Sequence, residues 1–191
     1  MNKELQKYVL TAEKIIPDTL CKKAIADINK NKKDWEKHLW YNNSKKITEN
    51  KNKNKELSTI YLNNSENTKQ IQKIVIDVIN SYIKTLNLSW FQGWSECSSV
   101  RFNIYNKNQI MSNHCDHIHS LFDGQRKGVP VLSILGLLND NYKGGEFIMF
   151  GDMKFKLEKG DILIFPSNFL YPHLVKPVTK GKRYSFVSWA W

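Results

Sequence analysis

From Leu88 onward the chain consists of short blocks of β-branched, aromatic and aliphatic residues, each broken off by Gly, Asn, Asp or Pro. Blocks of that length and composition suit strands joined by turns. They predict strands near 99–106, 129–138, 146–150, 153–157, 161–165, 173–178 and 183–190. A run of strands with no helical stretch between them points to an antiparallel double-sheet jelly roll.

The first half has a different grammar. Asp18 or Thr19 after Pro17 is a helix start, and Leu20, Ala24, Ile25 and Ile28 then recur at helical spacing. A second, longer helix is predicted from Asn67, with Ile71, Ile74, Val75, Val78, Tyr82, Ile83 and Leu86 on one face. Residues 41–57 are almost wholly polar and read as a long solvated loop or a mobile segment. The expected fold is therefore α+β and mainly β: a double-stranded β-helix (jelly-roll, cupin-like) core with N-terminal helices packed on one sheet. A single domain over 1–191 is expected, with 1–97 as helical support and 98–191 as the jelly-roll core.

A hydrophobic content of 41% in 191 residues is enough for one sizeable core. No run of eighteen apolar residues occurs, and Met1 to Leu10 carries Lys3, Glu4 and Lys7 where a signal peptide would be apolar. A cytoplasmic protein without a membrane partner is expected. Cys21, Cys97 and Cys115 form no C-x-x-C pair, so reduced thiols are expected rather than a disulfide framework or a zinc knuckle. The net charge of +11 allows an attraction to nucleic acid. It is spread along the chain, however, which favours a solvated basic surface.

His114-Cys115-Asp116 places an imidazole and a carboxylate two residues apart, on one side of an extended backbone, with Cys115 pointing away. His173 begins another predicted strand. Two His and one carboxylate form the facial triad of non-haem iron(II) oxygenases, which leaves positions open for other ligands. Ten residues beyond His173, Arg183 could pair bidentately with a carboxylate. The alternative for Arg183 is a surface cation, although its apolar setting, Tyr184 to Trp191, would make an unpaired inward charge costly. Ser185 shares its face, and Lys182 should point the other way. His117 and His119 raise zinc as an alternative, which no cysteine cluster accompanies.

The stretch from Asn103 to Trp189 resembles the catalytic domain of prolyl 4-hydroxylase-like 2-oxoglutarate oxygenases. The resemblance rests on Tyr105, then HCD, SILGLLNDNYKGGEF, GDILIFP and YPHLVKPVTKGKRYSFVSW, in the family's order. The wording HIHSLFDGQRKGVP and FPSNFLYPH is most similar to bacteriophage members. The resemblance implies that His114, Asp116 and His173 hold iron(II), and that Arg183 holds the C5 carboxylate of 2-oxoglutarate. It implies supporting cosubstrate contacts from Tyr105, Ser185 and Asn103, and a place for Trp189 near the metal pocket, where a core aromatic is the alternative. Some animal protein hydroxylases carry a tyrosine where this chain has Gly136, which shifts the burden to Arg183, Ser185 and Tyr105.

The implied activity is a dioxygenase reaction with iron(II), 2-oxoglutarate and O2, supported by ascorbate, on a prolyl residue of a protein or peptide. Host cytoplasm is the implied location if the chain is phage-encoded. A nucleic-acid-directed oxygenase and a non-catalytic jelly-roll binding module are the alternatives, the latter disfavoured by the complete ligand set. His117, Arg126 and Lys127 are expected near the substrate mouth, on a candidate lid between His119 and Gly128. The sequence leaves oligomeric state open.

Overall fold

The computed structural model describes residues 2–42, 47–49, 55–91, 93–116 and 130–191. The first half contains α1 (Asn2–Gln6), β1 (Leu10–Ala12), α2 (Asp18–Lys30), β2 (Glu36–Lys37), β3 (Trp40–Asn42), β4 (Ile47–Glu49), β5 (Ser58–Tyr61) and α3 (Glu66–Leu86). Then come β6 (Arg101–Tyr105), β7 (Met111–His114), β8 (Leu132–Leu137), β9 (Lys143–Gly144), β10 (Phe147–Met149) and β11 (Met153–Phe155). The chain ends with β12 (Ile162–Pro166), β13 (His173–Val175), β14 (Val178–Lys180) and β15 (Arg183–Ala190).

Both long helices form where apolar residues recur at helical spacing. α2 buries Leu20, Cys21, Ala24 and Ile28, and α3 buries Ile71, Val75, Val78, Ile79 and Tyr82. The Ser65 side chain caps α3 by accepting from the Thr68 amide, and Asn87 closes it in a left-handed conformation (φ 46°). Asp27 on α2 ties the helices together, accepting from Ser65 Oγ at 2.6 Å and Asn67 Nδ2 at 2.8 Å.

Two sheets form the β core. One runs β1-β12-β8-β15-β6-β5-β2 and the other β11-β10-β13-β7, all antiparallel. The two-residue period splits the larger sheet into two faces. Phe102, Ile104, Ile134, Ile162, Ile164 and Phe186 pack against the helices. Tyr105, Leu135, Leu163 and Phe165 face inward, where they meet Met111, Phe147, Met149 and Val175 of the smaller sheet. The jelly roll with helices on one sheet is thus as expected. The inner face of β6 and β15, Arg101-Asn103-Tyr105 and Arg183-Ser185-Val187-Trp189, follows from the same alternation.

The polar run 41–57 is not all loop: β3 pairs with β4, and Leu57 is fully buried. Nor is the first half only helical, because β1, β2 and β5 extend the larger sheet. The predicted strand 173–178 divides at Pro177, which lacks the amide a continuous ladder needs.

Candidate active site

β13 and β7 are antiparallel neighbours whose register sets His173 directly opposite His114. That pairing joins residues far apart in sequence. Asp116 follows two residues after His114, and donor atoms of the three side chains lie within 4.8 Å of one another. Asp116 Oδ1 is 3.2 Å from His114 Nε2 and 3.7 Å from His173 Nε2.

The surroundings fix which atoms face the centre. His114 Nδ1 donates to the Ser112 carbonyl at 2.8 Å, and His173 Nδ1 donates to the Tyr171 carbonyl at 3.0 Å. Both Nε2 atoms are therefore left as lone-pair donors, the arrangement that orients metal-ligating imidazoles. Asp116 Oδ2 accepts from Ser133 Oγ at 2.7 Å and from Trp189 Nε1 at 3.0 Å, leaving Oδ1 toward the imidazoles. Ser167 Oγ lies 2.9 Å from Ser133 Oγ. A hydroxyl has one proton, so Ser167 supplies the proton between them when Ser133 serves the carboxylate.

Burial works to raise the Asp116 carboxyl, but the His173 and His114 imidazoles and the Ser133 hydroxyl outweigh it and hold the group well below the usual carboxylate range. Burial pushes His173 down to about 4, against the opposing pull of Asp116. An ionised Asp116 carboxylate beside a neutral His173 imidazole suits a metal site, whose ligands must be free of protons. Phe147 and Phe165 hold the His173 ring at centroid distances of 5.4 and 5.2 Å.

Deeper along the inner face lies Arg183, only 1% exposed. Its Nη1 donates to Ser185 Oγ at 2.7 Å, its guanidinium lies 5.0 Å from the Tyr105 ring, and its Nε has no hydrogen-bond partner. Among the described residues no carboxylate pairs with it. Asn103 Oδ1, opposite Ser185 in the ladder, is likewise buried without a partner. Buried polar groups left in this state are costly unless a ligand completes them. The donor set fits an anionic group beside Arg183, and the two-His, one-carboxylate cluster fits iron(II).

Gly145 makes room for the arginine. It adopts φ 65°, and a Cβ there would lie 3.1 Å from Arg183 Cδ. Glu146 pairs with Lys154 at 3.7 Å, and both line a cavity that Arg183 also borders. Gly136 has a different place from the one the tyrosine comparison assumes. It faces the helices, where a Cβ would meet the Phe186 ring at 2.1 Å. A tyrosine at that position could not reach Arg183; the adjoining inward positions are Leu135 and Leu137.

Of the expected residues, the structure brings His114, Asp116, His173 and Trp189 together, and gathers Arg183, Ser185, Tyr105 and Asn103 along the adjoining face. Lys182 points away, with its ammonium 5.8 Å from the Trp35 ring. Cys115 also points away, donating to the Phe169 carbonyl at 3.4 Å. His117, Arg126, Lys127 and the proposed lid from His119 to Gly128 lie outside the described residues. Sequence reasoning missed Ser133, Ser167, Arg101 and His38. Arg101 carried a usable signal, because it shares the face of Asn103 and Tyr105 by the two-residue period.

Residues 100–191 match the model of the 2OG-Fe(II) oxygenase superfamily. The matched stretch is a little under half of the chain and holds every residue of the His-Asp-His cluster. The family implies iron(II), 2-oxoglutarate and O2, and the His-Asp-His cluster is present for the metal. Similar proteins include PKHD-type hydroxylases from Idiomarina loihiensis and Aliarcobacter butzleri. The first is 34% identical over 97 residues, 49% of this chain and 42% of that protein. The second is 37% identical over 97 residues, 47% of this chain and 41% of that protein. The chain thus matches less than half the length of these relatives.

Among solved structures, the fold is similar to a viral collagen prolyl hydroxylase from Paramecium bursaria Chlorella virus-1, with TM-score 0.66, 17% identity, and 96% and 94% of the two chains covered. It is also similar to a Trichoplax adhaerens prolyl hydroxylase in complex with a peptide fragment of hypoxia inducible factor. That match has TM-score 0.72 and 14% identity, and covers 100% of this chain and 86% of the other. These likenesses establish the jelly-roll fold. No helix among the described residues is long and apolar enough to cross a membrane.

Proposed function

We propose that the chain is an iron(II)- and 2-oxoglutarate-dependent dioxygenase that hydroxylates a prolyl C–H bond in a protein or peptide, with ascorbate as supporting reductant and the cytoplasm as its place of action. The whole chain acts as one unit in this reading, residues 1–97 supporting the site carried by 98–191. The observation that carries it is the pairing of two incomplete features on one inner face: three convergent metal-ligand atoms and a buried arginine that meets no carboxylate among the described residues. The hydroxylases named above supply the prolyl direction; none of them is named for a nucleic-acid substrate.

Each side chain then has a task. His114, Asp116 and His173 hold iron(II). Arg183 and Ser185 donate to the distal carboxylate of 2-oxoglutarate, with Tyr105 and Asn103 beside them. Bound iron(II) with 2-oxoglutarate and O2 supplies the oxidising power that turns C–H into C–OH, with release of succinate and carbon dioxide. The protein contributes orientation and exclusion of water. Ser133 and Trp189 keep the Asp116 carboxylate ionised and correctly turned, and Phe147 and Phe165 enclose His173.

The deciding experiment incubates purified protein with iron(II), ascorbate and 2-oxoglutarate, alone and with proline-containing peptides or oligonucleotides. Succinate release stimulated by a peptide that gains one oxygen atom is the expected result. Stimulation by an oligonucleotide alone would move the substrate to nucleic acid, and absence of succinate throughout would overturn the dioxygenase reading.

A further inference from the structure

The inner face of β6 carries two arginine-associated positions at opposite ends. Tyr105 lies under Arg183 at one end, and Arg101 occupies the other. They are four residues apart along the strand, roughly 13 Å. Arg101 is partly buried, its guanidinium lies 4.9 Å from the Trp189 ring, and its enclosed Nε has no hydrogen-bond partner. Trp189 in turn donates to Asp116, so Arg101 stands one aromatic ring away from the metal-ligand cluster.

Among the described residues Arg101 makes no ion pair, and Asp116, the acid whose charge reaches it, is already committed. One carboxylate oxygen serves Ser133 and Trp189, and the other faces the imidazoles. His38, which senses the charges of Arg101, His114 and Asp116, is pushed down to about 3, first by burial and then by Arg101. It is uncharged near neutral pH. Tyr61, beside Arg101 in the β5 pairing, is half exposed.

An arginine held on an aromatic face, with an enclosed Nε–H that no acceptor among the described residues meets, is preorganised for an oxygen that arrives from outside. Arg183 stands ready for one carboxylate at the other end of the face, so the cosubstrate does not account for Arg101. We propose that Arg101 is a substrate-recognition residue, its guanidinium donating to a carbonyl or carboxylate oxygen next to the prolyl ring offered to the His114-Asp116-His173 cluster. This rests on the prolyl hydroxylase reading above. Trp189 then has two faces of use: its N–H holds the metal ligand, and its ring holds the arginine that positions the substrate. Recognition and metal geometry share one side chain.

The test compares native protein with Arg101→Gln and Arg101→Lys, each loaded with iron(II) and 2-oxoglutarate. Three probes separate the two oxygen sources: the capped peptide acetyl-Gly-Ala-Pro-Gly-Ala-amide, acetyl-Gly-Ala-Pro with a free carboxylate, and free L-proline. For whichever probe native protein hydroxylates, Arg101→Gln should raise its KM roughly ten- to hundredfold, the effect of losing a charge-assisted hydrogen bond. Arg101→Lys should fall between, because it keeps the charge and loses the planar fork. The KM for 2-oxoglutarate should shift by less than about twofold in both, since Arg183 is untouched. Turnover of the capped peptide identifies a carbonyl; turnover restricted to the free acids identifies a carboxylate. A native probe KM in Arg101→Gln overturns the inference, and so does a parallel rise in the 2-oxoglutarate KM. If Arg101→Gln fails to fold, Arg101→Lys decides by the same KM comparison. If native protein forms succinate yet hydroxylates none of the probes, the prolyl reading falls and takes the inference with it. If it forms no succinate at all, the dioxygenase reading itself is wrong.

Discussion

Trp189 Nε1 donates to Asp116 Oδ2 across 3.0 Å, and so links the last strand of the chain to the carboxylate of the His-x-Asp pair. The bond does for Asp116 what the Ser112 and Tyr171 carbonyls do for the two imidazoles: it decides which atom faces the centre. Trp189→Phe keeps the ring and removes the donor. It should weaken iron(II) retention roughly ten- to hundredfold, the usual cost of losing a partner behind a metal ligand. Ser133→Ala should act in the same direction, because it removes the other donor to Oδ2. Metal titration monitored by fluorescence checks both, and native affinity in the double variant would refute the orienting role.

Removal of the ligands themselves should be more severe. His114→Ala, Asp116→Ala and His173→Ala are each expected to abolish iron-dependent succinate formation while far-UV circular dichroism stays native. A chelator should do the same to native protein, reversibly on adding iron(II). Asp116→Gly is an informative companion, since it opens a ligand position while both imidazoles remain. Full turnover by any two of the three alanine variants would remove the cluster from the mechanism.

For Arg183→Ala, the expected change is an increase in the 2-oxoglutarate KM of about one to two orders of magnitude, from loss of a charge-assisted pair. Iron affinity should be preserved. Lys182→Ala is the control on the adjacent residue, whose ammonium sits near Trp35 on the outer side. Equal KM values for Arg183→Ala and native protein would place the cosubstrate carboxylate elsewhere.

Why some of this was legible in the sequence and some was not has physical reasons. His114, Asp116, His173 and Arg183 were readable because a metal site needs particular atoms and the two-residue strand period fixes their side. Ser133 was not, since a lone serine in the apolar stretch Val131 to Leu138 has no spacing that marks it as a partner of Asp116. β1 and β2 are three and two residues long, too short for a period to be seen, and become strands only by pairing with longer neighbours. Distance along the motif equates Gly136 with the tyrosine of some animal protein hydroxylases. Register, which places it opposite Phe186, turns it to the helices.

Acid should destabilise the metal-free protein. His173 is pushed down to about 4 and His38 to about 3, in both cases chiefly by burial, while Asp116 is held below its ordinary range. All three folded-state values lie below the unfolded ones. The unfolded chain therefore binds more protons over this interval, and stability present above about pH 6.5, the ordinary histidine value, is lost as pH falls toward 4. Urea midpoints of metal-free protein measured between pH 7 and 4 should decline, and His38→Gln should flatten the slope. A midpoint that is constant or rises toward pH 4 would contradict the sign.

The orientation of β8 gives the last prediction. Ser133, Leu135 and Leu137 face the jelly-roll interior, whereas Ile134, Gly136 and Leu138 face the helices, and the Phe186 ring fills the space above Gly136. A methyl group there would overlap the ring, and Phe186 is fully buried, so it cannot swing clear without disturbing its neighbours. Gly136→Ala should cost about 1–3 kcal/mol of stability, the usual range for overpacking a filled core. Because the clash lies on the helix side, the 2-oxoglutarate KM of the folded variant should stay native. Gly136→Ala with Phe186→Leu should recover part of the loss, since the smaller side chain leaves room for the methyl group. Urea denaturation and 2-oxoglutarate kinetics on the two variants separate the alternatives: a raised KM with native stability would put Gly136 on the pocket side and reverse the assigned facing of the strand.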